Sequence, residues 1–133
     1  MGIFQNPADK LILIVDDDDS VRELLEFLVK KEGFRTETAA NGQEALDKVR
    51  KHEPDLMLLD LMLPKFGGFE IVRELQVDAG DIPIVIITGR YTDRSTSDII
   101  KLESNVRDFI EKPVKPPVLT SLIHKILNTQ PQR

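Results

Sequence analysis

The sequence predicts an α/β domain: a doubly wound (βα)5 three-layer sandwich around a five-stranded parallel sheet. Three observations carry this. Short aliphatic runs such as Leu11–Val15 are unbroken by polar residues, which suits strands covered on both faces. Between the runs, apolar residues recur at helical spacing. The alternation is regular along the whole chain, and regular βα alternation requires parallel pairing with right-handed crossovers. The 133 residues fit one domain, large enough to bury about two-thirds of the unfolded chain's surface.

The elements follow in order. Leu11–Val15 is the first strand, and four aspartates and Ser20 follow it. Val21, Leu24, Leu25, Leu28 and Val29 repeat as one helical stripe, and Gly33 is a natural stop. Phe34 to Ala39 alternates like a less buried second strand. Asn41 caps a helix from about Gly42 to Glu53 with Ala45, Leu46 and Val49 facing inward, and Pro54 ends it. Asp55 to Asp60 is a buried third strand that finishes on an acid. Pro64 to Gly68 reads as a loop. Phe69, Ile71, Val72 and Leu75 mark a third helix. Ile82 to Thr88 is the fourth strand, and Asp93 or Ser95 caps a helix carrying Ile99, Ile100 and Leu102. Asp108-Phe109-Ile110 lies in a short fifth strand that stops at Lys112-Pro113. Val118, Leu119, Leu122, Ile123, Ile126 and Leu127 form the last stripe. His52 and His124 fall on helices and are expected to be solvated. Residues 1–9 read as an N-terminal extension, 10–128 as the domain, and 129–133 as a frayed tail.

Composition removes several function classes. Without cysteine there is no disulfide, thiolate catalysis or Cys-ligated zinc, and two histidines cannot build a His-rich zinc site. The net charge of −5 makes direct nucleic-acid binding unfavourable. No apolar run approaches the ~18 residues of a membrane span, and the first residues lack the pattern of a signal peptide. The charge is uneven. Residues 1–89 hold 10 basic and 18 acidic side chains, whereas residues 90–133 hold 8 and 5.

In an open doubly wound sheet, ligands bind outside the carboxyl ends of the strands. Strand one ends at Asp16-Asp17, strand three at Asp60, strand four at Thr88 and strand five at Lys112. Two carboxylates about 4 Å apart repel by ~4 kcal/mol at an effective dielectric near 20. Three of them must take up protons or bind a cation, and Lys112 alone cannot balance them. With oxygen donors only, the cation is Mg²⁺ or a similar hard ion, which commonly shares its shell with phosphate oxygens. Thr88 can donate to a phosphoryl group, Lys112 can neutralise it, and an aspartate can be the nucleophile that accepts it.

These residues resemble the receiver domains of two-component response regulators, over about residues 10–128. The resemblance rests on Ile14-Val15-Asp16-Asp17-Asp18 with Arg22 following, and on Pro54-Asp55 through Asp60 to Pro64. It rests further on Gly68-Phe69-Glu70, Pro83 through Thr88-Gly89, and Asp108-Phe109-Ile110-Glu111-Lys112-Pro113. It implies a flavodoxin-like sheet with strand order 2-1-3-4-5, and a cytoplasmic switch phosphorylated on Asp60 by a histidine kinase or histidine phosphotransfer protein. Mg²⁺ would be held by Asp17, Asp60 and the Met62 backbone carbonyl, with Asp16 acting largely through water. Thr88 and Lys112 would contact the phosphoryl oxygens, beside a small residue at Gly89. The Lys112–Pro113 bond would be cis, as X-Pro permits, and Phe109 would be the aromatic switch. The readout surface would be the fourth helix, fifth strand and fifth helix. Asn105-Val106, Gly67 and Gly89 depart from common family residues without touching the five core positions.

The resemblance leaves the output to a protein partner or to an effector domain outside this chain, and the chain a monomer or a phosphorylation-dependent homodimer. Two other readings stand beside it. Asp16-x-Asp18 resembles the nucleophile motif of haloacid-dehalogenase-type phosphohydrolases, and a receiver fold can serve as an interaction module that takes no phosphate. A calcium loop fails because Val21 occupies the turn-glycine position and Phe27 the position of the bidentate Glu. A dinucleotide module fails for want of a glycine-rich loop after strand one. Asp18 and Asp19 read as helix cap and dipole partner. Met62 and Arg90 flank the expected path of a hydrolytic water, and neither side chain is a general base. A phosphorylated state lasting minutes or longer is therefore expected; a decay half-time of seconds in Mg²⁺ would contradict it.

Overall fold

Every strand in the sheet runs parallel to its neighbours, in the order β2-β1-β3-β4-β5. The strands are β1 (Leu11–Val15), β2 (Arg35–Ala39), β3 (Leu56–Asp60), β4 (Ile84–Thr88) and β5 (Val106–Glu111). The helices are α1 (Asp19–Lys31), α2 (Gly42–His52) and a C-terminal helix, Pro116–Leu127. This computed structural model describes residues 3–60, 70–74, 81–89 and 105–131. Residues 70–74 are helical, within the expected third helix. The rest of that helix, the Pro64–Gly68 loop and the expected fourth helix lie outside the described residues.

The three central strands explain the layers. β1, β3 and β4 are buried at every position, and successive side chains point to opposite faces. Leu13, Val15, Met57, Leu59, Ile84 and Ile86 face one core with Ala45, Leu46 and Val49 of α2 and with Ile71 and Val72. Ile12, Ile14, Leu56, Leu58, Val85 and Ile87 face the other, with Leu25 and Val29 of α1 and Leu119, Ile123 and Leu127 of the C-terminal helix. Burying each such aliphatic side chain contributes roughly 1.5–3 kcal/mol. Two apolar cores on opposite faces fix the register, because a one-residue slip would exchange their contents.

Caps form where the residue types allow. Asp18 accepts from the amides of Ser20 and Val21 at the start of α1, and Asn41 accepts from that of Glu44 at the start of α2. Glu53 ends α2 in the left-handed region at φ 49°, just before Pro54. Gly33 takes φ 95°, the positive angle that carries the chain from α1 into β2.

The structure departs from the sequence reading in three places. β5 is longer than expected and carries an irregularity: Ile84 pairs with Val106 but Val85 with Asp108, leaving Arg107 as the extra residue. As an edge strand it has Arg107 and Asp108 exposed in succession, so it lacks the alternation that would mark its full length. The C-terminal helix begins at Pro116, two residues ahead of the first member of the expected stripe, because proline is tolerated in a first turn. His124 is buried, not solvated: only 4% of it is exposed. Its Nδ1 is hydrogen-bonded to Thr129 Oγ1 and its Nε2 to Glu32 Oε1, both at 2.7 Å, and its ring lies 5.2 Å from that of Phe34.

The same corner ties down both ends of the described chain. Thr129, at the start of the stretch expected to fray, is buried. It bridges Gln5, whose amide donates to Asn128 O at 2.7 Å, and Asn128 Nδ2 donates to Ile3 O. Replacing His124 by Ala removes two hydrogen bonds and a ring contact and leaves Glu32 without its partner. His124→Ala should cost about 2–3 kcal/mol, read as a lower urea midpoint at an unchanged m-value. An unchanged midpoint would mean that these bonds add no net stability.

Candidate functional site

Because all five strands are parallel, their carboxyl ends share one rim. Asp16 directly follows β1, and its amide continues the ladder to Ala39 O at 3.1 Å. Asp60 is the last residue of β3 and Thr88 the last of β4. Lys112 directly follows β5, and its amide donates to Thr88 O at 2.8 Å. The fold therefore brings together residues far apart in sequence with no need for a long loop.

One carboxylate oxygen from each of Asp16, Asp17 and Asp60 lies within 4.8 Å of the others. Asp16 and Asp60 are buried and Asp17 is exposed. Lys112 Nζ reaches Asp16 Oδ2 at 2.8 Å and Asp60 Oδ2 at 3.3 Å. The other Asp16 oxygen, Oδ1, accepts from the Asp18 amide at 2.9 Å. Thr88 is buried beside them. Burial alone would push the Lys112 ammonium down. The hydrogen bond that Lys112 donates to Asp16 and the charges of Asp60 and Asp16 outweigh it and hold Lys112 above the ordinary lysine value. Asp18 is held below the usual carboxylate range, first by the Ser20 hydroxyl and then by the Val21 amide, as its capping role requires.

Among the described residues, the cluster suits a hard divalent cation. Its donors are carboxylate oxygens, with no His or Cys among them. Three carboxylates against the one ammonium that bridges two of them leave an excess of two negative charges.

The remaining expected site residues fall as follows. Gly89 is exposed beside Lys112, and a methyl group added there would sit 3.7 Å from Lys112 Cδ, an ordinary contact. Phe109 is partly buried against the core on the α2 face, and its residue pairs with Ile86 across the sheet. The Lys112–Pro113 peptide is cis. Met62 and Arg90 lie outside the described residues. One contact was not expected. The Arg22 side chain reaches back from α1, with Nη1 donating to the Asp16 carbonyl at 2.8 Å and Nη2 paired with Asp19. The Asp16-to-Arg22 spacing, six residues across a loop and a first helical turn, was the available signal.

The family model of the response regulator receiver domain matches residues 12–124, and the chain belongs to that family. It is 43% identical over 112 residues to the DNA-binding response regulator MtrA of Mycolicibacterium smegmatis, covering 84% of this chain and 48% of that protein. The chain thus spans about half the length of this curated relative. Among solved structures, it is similar to a CheY-like receiver domain protein from Methanospirillum hungatei, with TM-score 0.82, 30% identity, and coverage of 89% of this chain and 93% of that one. It is also similar to the response regulator TrrA of Thermotoga maritima in complex with Mg²⁺-BeF, with TM-score 0.77, 33% identity and coverage of 89% and 99%. The expected fold and strand order are those observed, and the chain is a receiver domain of the two-component type.

The raised Lys112 value has a consequence for stability. A base whose value is higher folded than unfolded stabilises fully below its unfolded value, and the effect is lost as pH rises through the folded one. In metal-free buffer the protein should therefore weaken on the alkaline side, from about pH 10 upward. Lys112→Met should be less stable at neutral pH and show a shallower alkaline decline. Urea midpoints across this range test it; parallel curves for the two proteins would contradict it.

Proposed function

We propose that the chain is a phosphorylation-activated switch whose acceptor is Asp60. The observation that carries this is the bridging of Asp16 and Asp60 by Lys112 inside a three-carboxylate cluster, with Thr88 buried alongside. A carboxylate oxygen of Asp60 attacks the phosphorus of the donor in line. The new O–P bond forms as the bond to the donor's histidine nitrogen breaks. Asp16, Asp17 and Asp60, with the Met62 carbonyl, would hold Mg²⁺, which when bound supplies positive charge to the phosphoryl oxygens in flight. Lys112 neutralises the oxygen that reaches its side of the site, and the Thr88 hydroxyl donates to another. Phe109, on the strand next to Thr88, repacks as Thr88 moves.

Receiver domains of response regulators pair with histidine kinases. For this chain, the donor is proposed to be such a kinase or a histidine phosphotransfer protein. The output is proposed to pass through the face of β5 and the C-terminal helix to a protein target or an effector domain. A monomer, or a homodimer formed on phosphorylation, is compatible with that face. Because the acceptor is itself modified, the role is regulatory rather than that of an enzyme with an outside substrate. A cytoplasmic location belongs to the same proposal; among the described residues, no helix is long and apolar enough to cross a membrane. The phosphohydrolase reading is disfavoured, because the receiver-domain family model matches residues 12–124 and the Asp16 carboxylate has both oxygens engaged, by the Asp18 amide and Lys112.

Intact mass after incubation with acetyl phosphate tests the proposal. The wild type should gain a single phosphoryl group in the presence of Mg²⁺ and none after chelation, and Asp60→Asn should gain none. An adduct that survives in Asp60→Asn but is lost in Asp16→Asn would move the chemistry to Asp16. No adduct on the wild type, with beryllofluoride also without effect on the fold, would leave an interaction module that takes no phosphate.

A further inference from the structure

We propose that Arg22 is a positioning residue for the metal-binding acids, acting by fixing the peptide that joins Asp16 to Asp17. The inference rests on the reading of the acid cluster given above. Arg22 Nη1 donates to the Asp16 carbonyl at 2.8 Å. That carbonyl belongs to the peptide from which Asp17 departs, so its orientation sets the direction of the Asp17 side chain. The other arm of the guanidinium pairs with Asp19, and the Arg22 amide donates to Asp18 O at 2.9 Å. Arg22 is thereby bonded to Asp16, Asp18 and Asp19, on both sides of Asp17.

The neighbouring acids have other anchors. Asp16 is buried and held through its side chain by the Asp18 amide and Lys112, and Asp60 is built into β3. Asp17 is exposed and sits in the bend of the loop, yet its carboxylate must stay within 4.8 Å of two others. Like charges at about 4 Å repel by ~4 kcal/mol at an effective dielectric near 20, and a slack loop would let Asp17 swing away. The Arg22 side chain is only 18% exposed although that of its partner Asp19 is 81% exposed. The fork thus reaches from the surface down to the loop carbonyl. A planar fork can hold two acceptors at fixed angles, and a lysine ammonium cannot reproduce that.

Two simpler roles make different predictions. If Arg22 only staples the first turn of α1 through Asp19, its loss lowers stability and leaves metal affinity alone. If it acts only as a nearby positive charge, its removal tightens cation binding, because cations repel.

The experiment is calorimetric titration of Mg²⁺ into the full chain as wild type, Arg22→Gln and Arg22→Lys, with urea unfolding in chelator beside it. Both variants should bind Mg²⁺ roughly tenfold more weakly, in the range found for residues that orient metal ligands. In phosphorylation from acetyl phosphate, the Mg²⁺ concentration for half-maximal rate should rise by the same factor, and the rate at saturating Mg²⁺ should return to that of the wild type. Unchanged affinity in both variants, whatever the melts do, overturns the inference. So does tighter binding in Arg22→Gln with Arg22→Lys unchanged. If Arg22→Gln does not fold, Arg22→Lys, which keeps the charge and loses the fork, decides alone. A wild type that binds no Mg²⁺ would instead overturn the reading of the acid cluster itself.

Discussion

Three carboxylates are held where they repel one another, and the rest of the molecule answers to that. Each close pair opposes folding by an amount comparable to the burial of one or two aliphatic side chains. The cluster persists because its members are not free to separate. Asp16 and Asp60 leave strands buried along their whole length, and moving either would disturb both cores at once. Lys112 supplies partial compensation from the far end of the chain, 96 residues from Asp16 and 52 from Asp60. A parallel sheet is the economical way to bring such distant residues to one edge, since every strand delivers its last residue there.

The two edges of the sheet are held by different physics. At the carboxyl edge the links are charges: Lys112 to two aspartates, and Arg22 to Asp19 and a carbonyl. At the amino edge they are hydrogen bonds and apolar contacts. His124 joins the end of α1 to the C-terminal helix through Glu32, while Thr129 and Asn128 bind residues 3 and 5. Phe34 closes this corner against the His124 ring. Charge links respond strongly when a charged group arrives. Apolar contacts and backbone hydrogen bonds respond less, and the Glu32 carboxylate at the amino edge is already bonded to His124. The acid cluster and its cationic partners thus gather at the carboxyl edge, while the two chain ends are tied together at the amino edge.

The legible parts of the sequence were those whose signal is local. Leu11–Val15 needs only its own five residues to read as a buried strand. Asn41 before a helical stripe reads as a cap, and an aspartate at a strand end reads as a rim residue once parallel order is assumed. The illegible parts depended on partners elsewhere. His124 looks like a surface residue until Glu32, Phe34 and Thr129 are brought around it; Glu32 and Phe34 are remote in sequence, and Thr129 lies just past the end of the helix. β5 reads short because one face is exposed and Arg107 interrupts the pairing, so its alternation is broken. Arg22 reads as a member of a motif with no stated task, since its acceptor is a backbone carbonyl and carries no signal in the residue type of Asp16.

On the proposed reading, the site's own bonds bound how far phosphorylation can drive a switch. Moving a population from 1:99 to 99:1 needs ~5.5 kcal/mol of differential stabilisation. A hydrogen bond to a charged group contributes about 1.5–3 kcal/mol, so bonds from Thr88 and Lys112 to a phosphoryl group reach that figure only at the upper limit. Lys112 does not begin unbonded, however. It already sits 2.8 Å from Asp16 and 3.3 Å from Asp60, and what it gives up is subtracted from what it gains. The polar site alone therefore falls short of a complete shift. The remainder has to come from apolar surface: from Phe109, already packed against the core of the α2 face, or from a partner that covers the face of β5 and the C-terminal helix, where Val118 is 52% exposed. Burying one large side chain contributes roughly 1.5–3 kcal/mol, enough to close the gap. Such a switch is incomplete until its target binds, which makes target binding and phosphorylation mutually reinforcing.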